Sequence, residues 1–173
     1  MASPTVRFYS DIHFNHRNLA QNLRKFHDEF YHDEYIIDQW NSVVKSPKDI
    51  TYILGDITME KIDPYPLLNR LRGIKYVVGG NHDMRQHCRE LLKYVDSISG
   101  MIDYKGFVLT HCPVHESIVK EKRGNIHGHI HGNHIYLPNG EIDTRYLNVS
   151  AEVIGYRPIT LEELLIKYRN EKA

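Results

Sequence analysis

The stretch Val77-Val78-Gly79-Gly80-Asn81-His82-Asp83 constrains this chain more than any other. An apolar run ends in two glycines, which let a backbone turn sharply and leave room beside it, and three polar side chains follow at once. Asn, His and Asp supply an amide oxygen, a proton carrier and a carboxylate. By itself the heptad fits an ordinary strand-to-loop turn as well as a functional one. Its meaning depends on whether other strands end the same way.

They do. Thr5 to Tyr9 is short and β-prone and runs into Ser10-Asp11-Ile12-His13-Phe14-Asn15-His16. Ile50 to Leu54 ends in Gly55-Asp56, Phe107 to Thr110 ends at His111, and Asn125 to His127 leads into Gly128-His129-Ile130-His131. Between these strands the spacing predicts helices. One runs from Arg17 to about Phe26 on Leu19, Leu23 and Phe26. A second is N-capped by Asp33, carries Ile36, Ile37, Trp40, Val43 and Val44 on a core face, and stops at Ser46-Pro47. Others are expected at Pro66 to Arg72, at Arg85 to Lys93, and behind the Thr160/Glu163 capping box. His27 to His32 lacks a clear period and reads as a loop that could cover a site. Further strands are expected at Ile74 to Val78, Ser97 to Asp103, His134 to Leu137 and Arg145 to Ser150, with turns at Lys105-Gly106 and Pro138-Asn139-Gly140. No repeat or linker interrupts the pattern, so residues 1–173 are expected to form one α/β domain.

Lys plus Arg and Asp plus Glu number 22 each. This balance offers no basic footprint for a long phosphate backbone, so nucleic acid is not the expected partner. Twelve histidines are the compositional anomaly, and His is both a common metal ligand and a proton carrier near neutral pH. Cys88 and Cys112 are too few and too far apart for a disulfide framework or a zinc knuckle. The first residues lack an apolar signal core, and no apolar run approaches the roughly 20 residues of a bilayer span. The expected setting is soluble, reducing and cytoplasmic, with no membrane partner.

Open α/β sheets bind ligands at the carboxyl ends of their strands, where Asp11, His13, Asp56, Asn81, His82, His111, His129 and His131 all stand. Carboxylates, imidazoles and an amide oxygen, without thiolate, suit Mn, Fe, Zn, Ni or Co better than calcium or a structural zinc. His129 and His131, at i and i+2, would share one side of an extended chain and address one site or two adjacent metals.

In this order the residues resemble the calcineurin-like metallophosphoesterases, whose five motifs appear as Asp11-Ile12-His13, Gly55-Asp56, Gly80-Asn81-His82-Asp83, His111 and Gly128-His129-Ile130-His131. The resemblance spans residue 6 to about residue 160. Ser10 to His16, Trp40-Asn41-Ser42-Val43-Val44 and the closing Asn148 to Ile159 look like the small single-domain phosphoesterases of bacteria and phages. The resemblance implies two packed mixed β-sheets flanked by helices. It also implies two divalent ions, Mn2+ first among them: Asp11, His13, Asp56 and His131 would hold one, and Asp56, Asn81, His111 and His129 the other. A hydroxide bridging the pair would attack a small phosphodiester or nucleotide, cyclic nucleotides included. His82 would be the general acid, with Asp83 orienting its ring.

His16, His115 and His127 adjoin motifs, as do Arg17 and Arg85, and each is a candidate for touching substrate phosphate. The bland reading for each is a supporting or solvated side chain. His27, His32, His87 and His134 carry no assigned role, and Cys112 reads as packing. Three other functions share this signature: a protein serine/threonine phosphatase, a non-catalytic metal-binding module, and a nuclease. The module is disfavoured by an intact ligand set, and the nuclease by the balanced charge.

Overall fold

A computed structural model describes the protein over residues 3–83 and 87–170. Two mixed sheets pack face to face. In the first, β1 (Val6–Tyr9), β2 (Ile50–Ile53), β3 (Ile74–Val78) and β4 (Ser97–Ser99) run parallel, and β9 (Ile159–Thr160) closes the β1 edge antiparallel, giving the order β4-β3-β2-β1-β9. In the second, β5 (Ile102–Tyr104), β6 (Phe107–Leu109), β7 (Gly124–His127) and β8 (Tyr146–Asn148) lie in sequence order, with only β5 antiparallel.

Alternation along β1 shows how the layers are built. Phe8 faces the other sheet, with its ring 5.4 Å from that of Tyr104 on β5. Its neighbour Tyr9 faces outward, 5.7 Å from the ring of Trp40 on helix α1 (Glu29–Val43). On the second sheet, the Tyr168 hydroxyl of α4 (Leu161–Asn170) accepts the Asn148 amide at 2.7 Å. Both mixed sheets and their flanking helices match the expected fold class.

Several elements differ from the sequence reading. The Ser97–Asp103 run is two strands, one in each sheet, so the chain changes layers at Gly100-Met101. His134–Leu137 joins neither sheet; it forms a small hairpin with a single bridge, Tyr136 to Ile142. α1 begins a turn early, capped by Asp28, whose carboxylate accepts the Tyr31 amide, and not by Asp33. The run to His32 looked aperiodic because this helix buries His32 and Asp33, polar residues where apolar ones were sought. The Arg17–Phe26 helix is mostly a π-helical turn, Leu19–Leu23, which leaves Leu23 exposed and carries the next residue, Arg24, inward. The Pro66–Arg72 helix is a 3-10 turn, Tyr65–Arg70, and the described part of the Arg85–Lys93 run holds α2 (Cys88–Leu91), residues 84–86 lying outside the described residues. One helix was not anticipated, α3 (Glu116–Val119).

Candidate metal centre

The loops that follow β1, β2 and β3 meet those that follow β6 and β7 at one end of the sandwich. The sheets are tied together there: Ser10 and Ser150 form a parallel bridge, and the Ala151 amide donates to the Ser10 carbonyl at 3.1 Å. The candidate ligand residues sit on unusual backbone. Asp11, His13, Asp56, His129 and His131 have φ of 58°, 53°, 55°, 70° and 49°. Left-handed backbone in non-glycine residues persists only where the surroundings enforce it, and it clusters at functional sites. Two glycines make the convergence possible. A Cβ on Gly80 would collide with the Asp56 carboxylate, and one on Gly128 with Ser10 and the Asp11 carboxylate.

One half of the site gathers Asp11, His13 and His131, whose ligand atoms lie within 4.8 Å of one another. Asp11 Oδ2 accepts the His129 amide and the Ser150 hydroxyl, both at 2.9 Å, which leaves Oδ1 buried without a hydrogen-bond partner among the described residues, 3.8 Å from His13 Nε2. Both nitrogens of the buried His13 also lack a hydrogen-bond partner among the described residues. Burial pushes its imidazole down to about 3, against the pull of Asp56, so its lone pair is available at neutral pH. The His131 ring lies 5.4 Å from that of His13, and its Nδ1 is 3.0 Å from Glu152 Oε1. A buried carboxylate oxygen and an imidazole left unsatisfied side by side are costly unless something binds between them.

The other half is centred on His111. Its Nδ1 donates to the Leu54 carbonyl at 2.7 Å. This turns Nε2 toward Asn81 Oδ1 at 2.9 Å, His129 Nδ1 at 3.2 Å and Asp56 Oδ2 at 3.3 Å. Four potential donors to a cation therefore face one another. Asp56 Oδ2 is also 3.9 Å from His13 Nε2, so one oxygen lies between the halves. Burial alone would raise this carboxyl, but His111, the His82 amide and His13 together outweigh it and hold the pKa below the usual range. Both halves fit a divalent ion. His129 and His131 do not share one side of an extended strand: their left-handed backbone sends His129 to His111 and His131 to His13. Cys112, expected as packing, is exposed at the rim, with Sγ within 4.8 Å of ligand atoms of His111 and His129.

His82 Nε2 faces the centre, 3.9 Å from Asp56 Oδ2. Asp83 does not orient this ring. Its Oδ2 accepts the Asp56 and Gly80 amides at 2.7 and 3.0 Å, and its Oδ1 accepts the Ile57 amide at 3.0 Å. Among the described residues, its carboxylate is turned to these three backbone donors and not to the imidazole. The acid beside the ring is Glu60, 3.5 Å from His82 Nδ1.

Of the candidate substrate contacts, His16 reaches the site, its ring 5.7 Å from that of His13. Arg17 is exposed and engaged by Gln21 and Glu29. His115 caps α3, accepting the Ser117 amide. His127 is buried, with Nδ1 donating to Gly128 O at 2.9 Å. Arg85 lies outside the described residues. The sequence reading missed the buried Arg24 and the half-buried Glu152, which stand behind the first half and are joined at 2.8 Å. Glu152 stands in the closing Asn148 to Ile159 segment; nothing marked Arg24.

Comparison with known proteins places the chain in a family and matches its fold. Residues 4–168 match the calcineurin-like phosphoesterase family. The uncharacterized protein MJ1445 of Methanocaldococcus jannaschii is 33% identical over 174 residues, 96% of this chain and 92% of that protein. The crystal structure of AQ665 from Aquifex aeolicus, a protein of unknown function, superposes with a TM-score of 0.72 at 26% identity, covering 94% of this chain and 98% of that one. Among the described residues, no helix is long and apolar enough to cross a membrane.

Proposed function

Because the chain belongs to the calcineurin-like phosphoesterase family, we propose that it is a dinuclear metal-dependent phosphodiesterase acting on a small phosphodiester or nucleotide, cyclic nucleotides included. The observation that carries this reading is the position of Asp56 Oδ2 between two sets of unsatisfied or mutually facing donors. Asp11, His13, Asp56 and His131 would hold one ion, and Asp56, Asn81, His111 and His129 the other. Mn2+ suits this mixture of imidazole and carboxylate, whereas Mg2+ prefers oxygen and water. When bound, such a pair supplies Lewis acidity toward phosphoryl oxygens and acidifies water.

The protein's own groups do the rest. His82 stands beside the centre with Nε2 inward and acts as acid toward the departing oxygen. Glu60, at its Nδ1, takes the orienting role first given to Asp83. Asp83 holds the Gly55-Asp56-Ile57 turn against Gly80, so that Asp56 and Asn81 face the same point. His16 lines the approach to His13 and contacts substrate.

The test is a rate screen of the Mn-loaded protein against a phosphomonoester, acyclic diesters, cyclic nucleotides and a phosphopeptide. Diester hydrolysis that chelator abolishes, and that Mn2+ restores better than Mg2+, is expected. Preference for the phosphopeptide would favour a protein phosphatase, and metal binding without turnover on any substrate would favour a non-catalytic module.

A further inference from the structure

Arg24 is a charged residue placed where a hydrophobic one would fold more cheaply. It is 7% exposed, and its guanidinium satisfies acceptors in four places: Nε to Glu152 Oε1 at 2.8 Å, Nη1 to the Ile12 carbonyl at 3.0 Å, Nη2 to the Asp11 carbonyl at 2.6 Å, and Nη1 to His32 Nε2 at 2.7 Å. The Tyr156 ring lies 5.7 Å from its central carbon. Replacing a buried ion pair with well-packed hydrophobic residues is often neutral or stabilising, so stability alone is a weak reason for this arrangement. A hydrophobe cannot hold several fixed acceptors in one plane, as a guanidinium fork does.

These contacts converge on one half of the metal centre. The Asp11 and Ile12 carbonyls belong to the left-handed turn that carries Asp11 and His13. The Glu152 oxygen bound to Arg24 is the one that faces His131 Nδ1, fixing the ring so that Nε2 is the free nitrogen. Behind Arg24 the chain of bonds returns to the same loop. His32 Nδ1 is 2.8 Å from Asp33 Oδ1, and Asp33 Oδ2 accepts the amide of Asn15, whose φ is 54°. The π-helical turn is what brings Arg24 inward: its amide closes the turn on the Leu19 carbonyl at 2.9 Å. Among the described residues, none of the Arg24 hydrogen bonds reaches Asn81, His111 or His129 directly, and the Asp11 turn touches that half only at the His129 backbone amide, not at its imidazole.

We propose that Arg24, acting through Glu152 and the Asp11–His13 turn, is the positioning residue of the Asp11–His13–His131 half, and sets the metal affinity of that half alone. The proposal rests on the dinuclear reading above. Partners behind metal ligands change affinity about 10- to 100-fold when removed. Arg24→Met is therefore expected to fold, to keep one ion at wild-type affinity, and to bind the other roughly 10- to 100-fold more weakly.

Calorimetric titration with Mn2+, with circular dichroism as the check on folding, reads this directly. Electron paramagnetic resonance supplies a signature that a general loss of stability would not produce: the exchange-coupled Mn pair of the wild type gives way to an isolated Mn2+ signal at one equivalent. Arg24→Lys should not restore the second ion; restoration would mean that charge alone suffices and would overturn the positioning role. Glu152→Gln, which keeps the side chain's size and decides the matter if Arg24→Met fails to fold, should produce the same selective loss. Equal weakening of both ions, or of neither, in folded Glu152→Gln overturns the proposal. Wild-type protein that binds fewer than two ions overturns the dinuclear reading first, and the proposal with it.

Discussion

Asp83 Oδ2 accepts the backbone amide of Asp56 at 2.7 Å, joining the loops after β2 and β3 into one unit. With the further bonds from Gly80 and Ile57, this carboxylate is a clamp on backbone. An asparagine there has one acceptor oxygen, and its NH2 would face a backbone N–H. Asp83→Asn is expected to lower the stability of the metal-free protein by about 1–3 kcal/mol and to weaken both ions, because Asp56 and Asn81 lose their common support. Urea denaturation and metal titration check this. Unchanged stability with lost turnover would instead return Asp83 to a role beside His82.

Asp56→Asn should affect both halves in a different way, without loosening the loops. Asp56 Oδ2 is the atom shared between His13 on one side and His111 on the other. Removing its charge is expected to weaken both ions, bringing metal content at limiting Mn2+ below one per chain. If either ion is retained at unchanged affinity, the shared-ligand assignment is wrong.

The residues that converge on the candidate centre were legible in the sequence because each stands just past an apolar strand, often beside a glycine. Two of those glycines, Gly80 and Gly128, turn out to clear space for the Asp56 and Asp11 carboxylates. What supports the ligands was not legible. Arg24, His32 and Asp33 are polar residues buried in helical segments, so they break the very periodicity used to recognise a helix. The role of Asp83 was misread because residue type and adjacency say nothing about direction. Its side chain turns to backbone amides, while the imidazole beside it meets Glu60 from a different loop. Nor could spacing show that His129 and His131 leave the extended conformation, since only their left-handed backbone separates their targets.

Acid should destabilise the metal-free protein in a defined window. Burial holds His13 neutral down to about pH 3 and His127 down to about 4, against an ordinary value of 6.5. Between about 4 and 6.5 the unfolded chain binds protons that the native state refuses, so the contribution of these two histidines is complete above 6.5 and falls as pH is lowered through the window, by about 1.4 kcal/mol per pH unit for each. His16 and His32, also pushed down by burial, act in the same sense. His111, where contact with Asp56 outweighs burial, and His131, bonded to Glu152, are shifted upward, so their opposite contributions are lost as pH rises above 6.5. Burial alone would raise Glu152, but His131 and Arg24 outweigh it and hold the carboxyl at about 2, so its contribution is lost only below 4.5. In denaturation series between pH 4.5 and 6.5, His127→Asn should flatten the slope by about one proton's worth. An unchanged slope would show that His127 is protonated in the native protein.

His82 allows the sharpest separation of roles, because it faces the centre without a place in either ligand set. Its Nε2 lies 3.9 Å from Asp56 Oδ2 and its Nδ1 lies 3.5 Å from Glu60. If Nε2 gives its proton to the departing oxygen, His82→Ala should fold and bind both ions, while turnover of an alkyl diester falls roughly 100- to 10,000-fold. The loss must depend on the leaving group. An alkoxide needs that proton in the transition state, whereas nitrophenolate is stable enough to leave without it, so a nitrophenyl diester should suffer far less. A histidine that only stabilises charge on the phosphoryl oxygens would cost both substrates alike. Glu60→Gln should reproduce the same ordering more weakly, since it removes the carboxylate beside Nδ1 and leaves the proton carrier in place. The deciding quantity is the ratio of mutant to wild-type rate constants for the two diesters in metal-saturated enzyme. Equal ratios exclude the acid role, and loss of an ion in His82→Ala makes the residue a ligand.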